Sequence, residues 1–79
     1  MAKQAFTLFF PQNLIKEPIM YLVARDLDLI LNIRRAKITA ESGEATIELE
    51  GDEKNIKQAV ATLKKKGVIV EPVLGDVVQ

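Results

Sequence analysis

The segment between residues 30 and 50 constrains the fold of this chain more than any other part of the sequence. Two stretches of alternating apolar and polar residues, 30–41 and 44–50, flank Ser42-Gly43, a dipeptide that favours a two-residue hairpin turn. That turn fixes the register of the two strands, and every opposed pair is then apolar, Thr with Thr, or opposite in charge. The pairs are Ala40 with Ala45, Ile38 with Ile47, Ala36 with Leu49, Thr39 with Thr46, Lys37 with Glu48, and Arg35 with Glu50. The sequence therefore predicts a β-hairpin.

The phase of the alternation changes at the start of this hairpin. Leu29, Leu31 and Ile33 have odd numbers, whereas the inward-facing residues after Arg35 have even numbers. Two explanations remain open at this point. Either a β-bulge near residues 33–35 reverses the phase, or Asn32 and Arg34 face the core. Both explanations make this short stretch unusual.

Four further elements complete the predicted domain. The spacing of apolar residues predicts two strands, over 4–10 and 68–74, and two helices, over 18–28 and 52–66. Pro18 and Asp52 are typical of helix starts, and Gly67 is typical of a helix end. Pro72 places the last strand near a sheet edge. The order β-α-β-β-α-β is that of an α+β, ferredoxin-like sandwich. Right-handed crossovers then predict an antiparallel sheet of order 4-1-3-2 with both helices on one face, and the second strand becomes an edge.

Length and composition exclude several classes of function. With 79 residues and 8.8 kDa, we expect one domain over 1–79, with an ordered core of about 4–74 and a loosely attached tail, 75–79. Eleven basic and eleven acidic residues give no net charge, without the basic excess typical of nucleic-acid-binding modules. No stretch approaches the ~20 apolar residues of a membrane span, and no signal peptide is recognisable. We therefore expect a cytoplasmic protein that binds no nucleic acid and does not insert into the membrane.

The residue types needed for most catalytic and metal sites are missing. The absence of Cys and His excludes disulfides, thiolate and imidazole metal sites, and catalysis by either side chain. The acidic residues are spread over helix ends and the hairpin, so no pair is placed for acid–base work, and there is no Gly-rich phosphate loop. We expect no enzymatic activity, no metal and no cofactor.

Several short motifs are specific in combination through their order and spacing: Phe9-Phe10-Pro11, Glu17-Pro18-Ile19, Asp28-Leu29-Ile30-Leu31-Asn32-Ile33, Ala36-Lys37-Ile38-Thr39, Leu49-Glu50-Gly51-Asp52-Glu53 and Lys65-Lys66-Gly67-Val68. Over about residues 4–74 the chain resembles the NIL domain. That family occurs as the C-terminal regulatory domain of the ATPase subunits of bacterial methionine importers, and also fused to some ferredoxins. Because the chain lacks cysteine, it cannot be a self-contained electron carrier, and we expect a free-standing NIL-like domain.

The importer branch of this family implies a sensor of amino acids. Its domains pair, methionine binds near the dimer interface, and binding holds the transporter inactive. By position, Asn32-Ile33 matches the first two residues of the motif that names the family. Arg34 stands where the third residue is usually aliphatic.

The residues around Asn32 support a site at the same place on chemical grounds. The Asn32 amide both donates and accepts hydrogen bonds, and Arg34 or Arg35 can bind a carboxylate with two hydrogen bonds. A thioether side chain can lie against apolar neighbours: Leu29, Leu31, Ile33 and Met20. The predicted ligand-binding residues are Asn32, Ile33, Arg34, Leu31 and Met20. The alternative is that Asn32 only shapes a turn and the arginines only protect an edge strand.

Two functions of different classes follow from these observations. The first is a regulatory, non-catalytic homodimer that senses methionine or a related amino acid, alone or with a transporter-related protein. The second is an interaction domain that dimerises, or docks onto a ferredoxin or an enzyme of sulfur metabolism, without binding a metabolite.

Overall fold

The computed structural model describes residues 1–73, and its element order is the predicted one. The elements are β1 (Ala2–Phe10), a short 3-10 turn (Gln12–Leu14), α1 (Ile19–Asp26), β2 (Ile30–Ile38), β3 (Gly43–Gly51), α2 (Glu53–Lys66) and β4 (Ile69–Pro72). All neighbouring strands are antiparallel, in the order β2-β3-β1-β4. The ferredoxin-like fold, the sheet order and the edge position of β2 are therefore confirmed. Leu74 of the predicted last strand and the predicted tail lie outside the described residues.

The core lies between one face of the sheet and the two helices. Alternate residues of β1 and β3 point to this face, and they are almost completely buried: Phe6, Leu8, Phe10, Ala45, Ile47 and Leu49. The helices cover them with apolar residues at helical spacing: Ile19 and Val23 from α1, and Ile56, Ala59 and Leu63 from α2. Each large side chain buried in this way stabilises the fold by about 1.5–3 kcal/mol.

Both helices end in a Schellman motif, which sets where the following strand begins. In α2 the N–H groups of Gly67 and Val68 donate to the carbonyls of Lys64 and Leu63, at 3.1 and 3.0 Å. Gly67 has φ 106°, as its predicted role as the helix end requires.

Helix α1 ends in the same way, although Asp28 takes the place of glycine. The N–H groups of Asp28 and Leu29 donate to the carbonyls of Arg25 and Ala24, at 3.3 and 2.8 Å. Asp28 has φ 54°, a left-handed conformation that Asp tolerates better than most residues. Because this motif turns the chain directly from α1 into β2, the helix and the strand lie next to each other.

The helix starts differ slightly from the prediction. Pro18 precedes the first helical residue and caps α1, since its carbonyl accepts a hydrogen bond of 3.0 Å from the N–H of Leu22. At the start of α2, the Asp52 carboxylate accepts a hydrogen bond of 3.0 Å from the N–H of Lys54, as predicted for an N-cap.

The hairpin of β2 and β3 forms, but the predicted register is wrong. Ile38 pairs with Gly43 and Lys37 with Glu44, so that residues 39–42 form the connection. A two-residue turn needs positive φ at its central residues, and neither Ser42 nor Gly43 has it. Consequently Lys37 faces Glu44 instead of Glu48, and Ile38 does not face Ile47.

The Thr39 side chain explains why the longer connection is favoured. Its hydroxyl oxygen accepts hydrogen bonds from the N–H groups of Glu41 and Ser42, at 3.2 and 3.1 Å. The Thr39 N–H in turn donates to the Ser42 carbonyl at 2.8 Å. One side chain thus satisfies the backbone of the turn.

A β-bulge reverses the phase of β2, as one of the two explanations proposed. Ile33 pairs with Ile47, whereas Arg35 pairs with Thr46, so Arg34 is the additional residue. Leu31 and Ile33 therefore point to the helix-bearing face of the sheet. Asn32 lies opposite Glu48 on the other face, and the explanation that places Asn32 in the core is wrong.

Candidate functional site

An apolar cleft lies where α1 meets the outer end of the β2–β3 hairpin. Its volume is about 170 Å³. Three parts of the chain form its walls: the end of β1 with the turn after it, the first turn of α1, and the helix-facing side of β2. The lining residues are Phe10, Leu14, Ile15, Glu17, Pro18, Ile19, Met20, Tyr21, Leu31, Ile33, Ile38 and Gly43.

The mouth of the cleft continues into the free edge of the sheet. Strand β2 is an outer strand, and the helices leave much of its inward-facing side uncovered. Ile33 and Ile38 are 55% and 57% exposed, and Tyr21 is 59% exposed. Three large apolar or aromatic side chains thus meet solvent around one opening. Contiguous exposed apolar surface of this kind marks interaction sites in soluble domains.

The structure brings three of the five predicted site residues together. Met20, from the first turn of α1, faces Leu31 and Ile33 of β2 across the cleft, and all three line it. Asn32 and Arg34 do not line the cleft. They lie at the same sheet edge but on the opposite side, where the Arg34 Nε atom is 3.7 Å from a carboxylate oxygen of Glu48.

Sequence reasoning missed several residues of the cleft. Phe10 and Ile38 were predicted only as parts of the first strand and of the hairpin, and Tyr21 was not singled out at all. Glu17 was named only as part of the Glu17-Pro18-Ile19 motif. The Glu17-Pro18 dipeptide indicates only that residue 17 lies outside the helix, since a residue before proline disfavours the helical conformation.

Backbone hydrogen bonds fix the position of Glu17. Its N–H donates to the Leu14 carbonyl at 3.2 Å, and its carbonyl accepts from the Ile19 N–H at 2.8 Å. Glu17 is also the one charged side chain among the described residues that line the cleft. The cleft is thus an apolar cavity with one acidic residue at its border.

Tyr21 is held at the cleft by contacts with the next turn of α1. The Arg25 guanidinium lies 5.7 Å from the centre of the Tyr21 ring, which is within the range of a cation–π contact. Arg25 also donates two hydrogen bonds to the Asp26 carboxylate, at 3.2 and 3.1 Å. These hydrogen bonds, followed by the charge of Asp26, raise the pKa of Arg25. Arg25 therefore stays cationic at any physiological pH.

The opposite face of the sheet is polar, and the concavity on it is lined by Arg35, Ala36, Lys37, Glu44 and Thr46. Thr7 and Thr46 lie side by side there, with their hydroxyl oxygens 3.4 Å apart, and Glu48 and Glu50 follow along β3. These two carboxylates disfavour the phosphates of a nucleic acid. Within residues 1–73, no group of His, Cys, Asp or Glu is arranged to hold a metal ion. The helices in this part of the chain are too short to cross a bilayer, the longest having 14 residues.

Comparison with known families identifies the domain. The family model of the NIL domain matches residues 4–72. This chain belongs to the NIL domain family. The matched residues are almost the same as the range of about 4–74 over which the motifs resemble this family.

A solved structure has a similar fold. This NIL domain superimposes on the C-terminal domain of an ABC transporter ATP-binding protein from Enterococcus faecalis, with a TM-score of 0.80. The two sequences are 25% identical, and the match covers 92% of this chain and 86% of the other. No curated protein matches the sequence significantly.

Proposed function

We propose that this NIL domain is a non-catalytic regulatory module that binds methionine, or a related amino acid, at a homodimer interface. The observation that carries the proposal is the apolar cleft that opens onto the free edge of β2. Family membership and the likeness to a transporter ATPase domain support a regulatory role over an enzymatic one.

The size and lining of the cleft suit one unbranched apolar side chain. A dry protein cavity of about 150 Å³ lined by Leu, Ile and Phe binds benzene, and this cleft has about 170 Å³. A methionine side chain is of comparable bulk, and its thioether packs well against aromatic rings and flexible side chains. Phe10, Met20 and Leu31 offer such partners.

The polar end of the ligand is assigned to the sheet edge. Asn32 lies on β2 between Leu31 and Ile33, which line the cleft, and Arg34 follows Ile33. Both Asn32 and Arg34 lie on the side of the strand that faces away from the cleft. A second copy of the domain that pairs along β2 places these two side chains at the seam between protomers. There the Asn32 amide can orient a charged group, and Arg34 can bind a carboxylate. Ile33 supplies an apolar wall at the same seam.

We expect the domain to be a homodimer that depends on Ile33. A two-fold contact presents the same patch from each copy, and pairing along β2 removes an exposed edge that otherwise invites uncontrolled association. Ile33→Asp should convert the dimer to a monomer at about 100 μM, because it places two charges in an apolar contact. Sedimentation velocity measures this directly.

Ile69→Asp is the matched control for this experiment. Ile69 is 60% exposed, compared with 55% for Ile33, and it lies on β4 at the opposite edge of the sheet. The control should remain dimeric. A wild-type domain that sediments as a monomer, or a control that dissociates equally, contradicts the proposed interface.

A thermal-shift panel of free amino acids tests the proposed ligand. At 100 times its dissociation constant, a ligand adds about 2.7 kcal/mol to the stability of the folded state. For a domain of this size each kcal/mol raises the melting temperature by about 4–8 °C. Methionine should therefore produce a shift of about 10–20 °C, whereas serine, which cannot fill the cleft, should produce almost none. Equal shifts for both, or none for any amino acid, contradict the proposal.

The exposed edge favours a second candidate function. The three exposed side chains at the cleft mouth, Tyr21, Ile33 and Ile38, also suit docking onto another protein, such as a ferredoxin, an enzyme of sulfur metabolism or a transporter-related protein. In that case Ile33→Asp abolishes complex formation with the partner, but no amino acid raises the melting temperature.

A further inference from the structure

The outer side of α2 carries a concentration of positive charge. This helix, Glu53–Lys66, contains five lysines and one acidic residue, which gives it a net charge of +4. Because the whole chain has eleven basic and eleven acidic residues, the rest of the sequence carries a net charge of −4. Part of that negative charge, Glu48 and Glu50, lies on the polar face of the sheet, on the other side of the domain. The domain is therefore polarised, with α2 on its positive side.

Four of the lysines form a row along the side of α2 that faces away from the core. Lys54, Lys57, Lys64 and Lys65 are all exposed, and they follow helical spacing opposite the buried side of the helix. This lysine row is about 16 Å long at the rise of an α-helix. The exposed Ala61 lies in its middle, and none of the four lysines forms an ion pair with a residue that the structure describes. Their charge is therefore uncompensated within residues 1–73.

The stability of the helix accounts for only part of this pattern. The dipole of an α-helix favours cations in the last turn, which explains Lys64 and Lys65. The same dipole disfavours a cation in the first turn, where Lys54 lies, and it does not stabilise Lys57 one turn further on. The lysine row as a whole is a straight, outward-facing surface of one charge, and such a surface suits an anionic partner.

We infer that the lysine row docks the domain onto an anionic lipid bilayer. Negative lipid headgroups form a flat surface that attracts lysines and needs no shaped pocket. Two other kinds of partner use groups that α2 lacks. Protein interfaces are enriched in aromatic side chains and arginine and depleted in lysine, and nucleic acids are bound largely through arginine and aromatic side chains. Helix α2 contains neither arginine nor an aromatic residue.

Docking of this kind is peripheral and does not involve the amino-acid site. The apolar side of α2 is buried against the sheet through Ile56, Ala59 and Leu63, so it does not enter the bilayer. The negative remainder of the domain is repelled by the same lipids, and this repulsion orients α2 toward them. Each lysine near an anionic leaflet strengthens binding about fivefold, so several weak attractions together hold the domain.

Vesicle co-sedimentation tests the inference. At low salt, the wild-type domain should bind vesicles of phosphatidylglycerol mixed with phosphatidylcholine, and it should not bind vesicles of phosphatidylcholine alone. The triple variant Lys54→Gln, Lys57→Gln, Lys65→Gln should bind the anionic vesicles about a hundredfold more weakly. Its melting temperature should stay unchanged, because glutamine and lysine have similar helix propensities. Salt at about 1 M, where the Debye length is about 3 Å, should release the wild type.

A second triple variant, Lys3→Gln, Arg35→Gln, Lys37→Gln, is the matched control. It changes the net charge by the same amount, and its three exposed side chains lie on the polar face of the sheet. Because charges beyond a Debye length are screened, it should bind the anionic vesicles within about threefold of the wild type. Equal losses for the two variants, or a wild type that binds no anionic vesicle, overturn the inference. A wild type that binds a DNA duplex in preference to the vesicles also overturns it, because the lysine row then serves a nucleic acid.

Discussion

Ile47→Ala should lower the free energy of unfolding by about 2–5 kcal/mol. Ile47 is 1% exposed, and it lies in the central strand β3 between Phe6 of β1 and Ile33 of β2. Removing its side chain leaves a cavity in the core between the sheet and the helices, next to Ile33 of the cleft wall. Because a domain of this size has only about 5 kcal/mol in total, the variant should be largely unfolded when warmed slightly above room temperature.

Urea unfolding followed by circular dichroism measures this loss. Ile38→Ala is the matched control, since Ile38 pairs with Gly43 at the end of the hairpin and is 57% exposed. The control should cost less than about 1 kcal/mol, because little apolar surface is returned to water. Equal losses for the two variants contradict the observed register, since the predicted register would place the two residues opposite each other in one core layer.

Asn32→Ala should weaken methionine binding about ten- to a hundredfold. This corresponds to about 1.5–3 kcal/mol, the range for a hydrogen bond to a charged group. Asn32 is exposed and lies opposite Glu48 on the polar face of the sheet, so its replacement should change the stability of the fold by less than about 0.5 kcal/mol. Calorimetric titration gives the affinity, and thermal unfolding without ligand gives the stability.

Two outcomes decide the role of Asn32. Lys65→Ala, on the exposed side of α2, serves as the control and should change neither quantity. If Asn32→Ala keeps the affinity of the wild type and lowers the melting temperature, Asn32 is a residue that shapes the edge strand, and it leaves the proposed site.

The order of elements was predictable because each element carries its own local pattern. Alternation in β1 and β3, the N-cap at Asp52 and the end of α2 at Gly67 are all properties of neighbouring residues. Together with the handedness of crossovers, they determine the sheet order. The reversed phase of β2 also indicated a bulge near residues 33–35 as one of two explanations, and the structure places that bulge at Arg34.

The hairpin register was not predictable from the same patterns, because two registers satisfy them. The observed pairing of Ala36 with Ala45 and Lys37 with Glu44 is as complementary as the predicted one. The two registers differ in the turn, and there the Thr39 hydroxyl stabilises the longer connection. The predicted register relied on Ser42-Gly43 as the hairpin turn. It did not take into account that the Thr39 side chain can form hydrogen bonds to the backbone of a longer turn.

The cleft depends on distances that no local pattern contains. Its walls come from three separate parts of the chain, and the side of β2 that faces it depends on the position of the bulge. The sequence therefore indicated the edge of the sheet at which the cleft lies, with Met20, Leu31 and Ile33. It did not indicate that Asn32 and Arg34 lie on the opposite side of the strand, or that Glu17 lies in the wall.

The most direct test of the methionine site is a chemical-shift titration of the ¹⁵N-labelled domain with methionine. The proposed site predicts that the amide signals that move most belong to residues lining the cleft, especially Met20, Leu31, Ile33 and Gly43. Amides on the exposed side of α2, such as Lys57 and Lys65, should stay in place. A titration in which no signal moves, or in which the largest changes lie on α2, contradicts the assignment of this cleft as the amino-acid site.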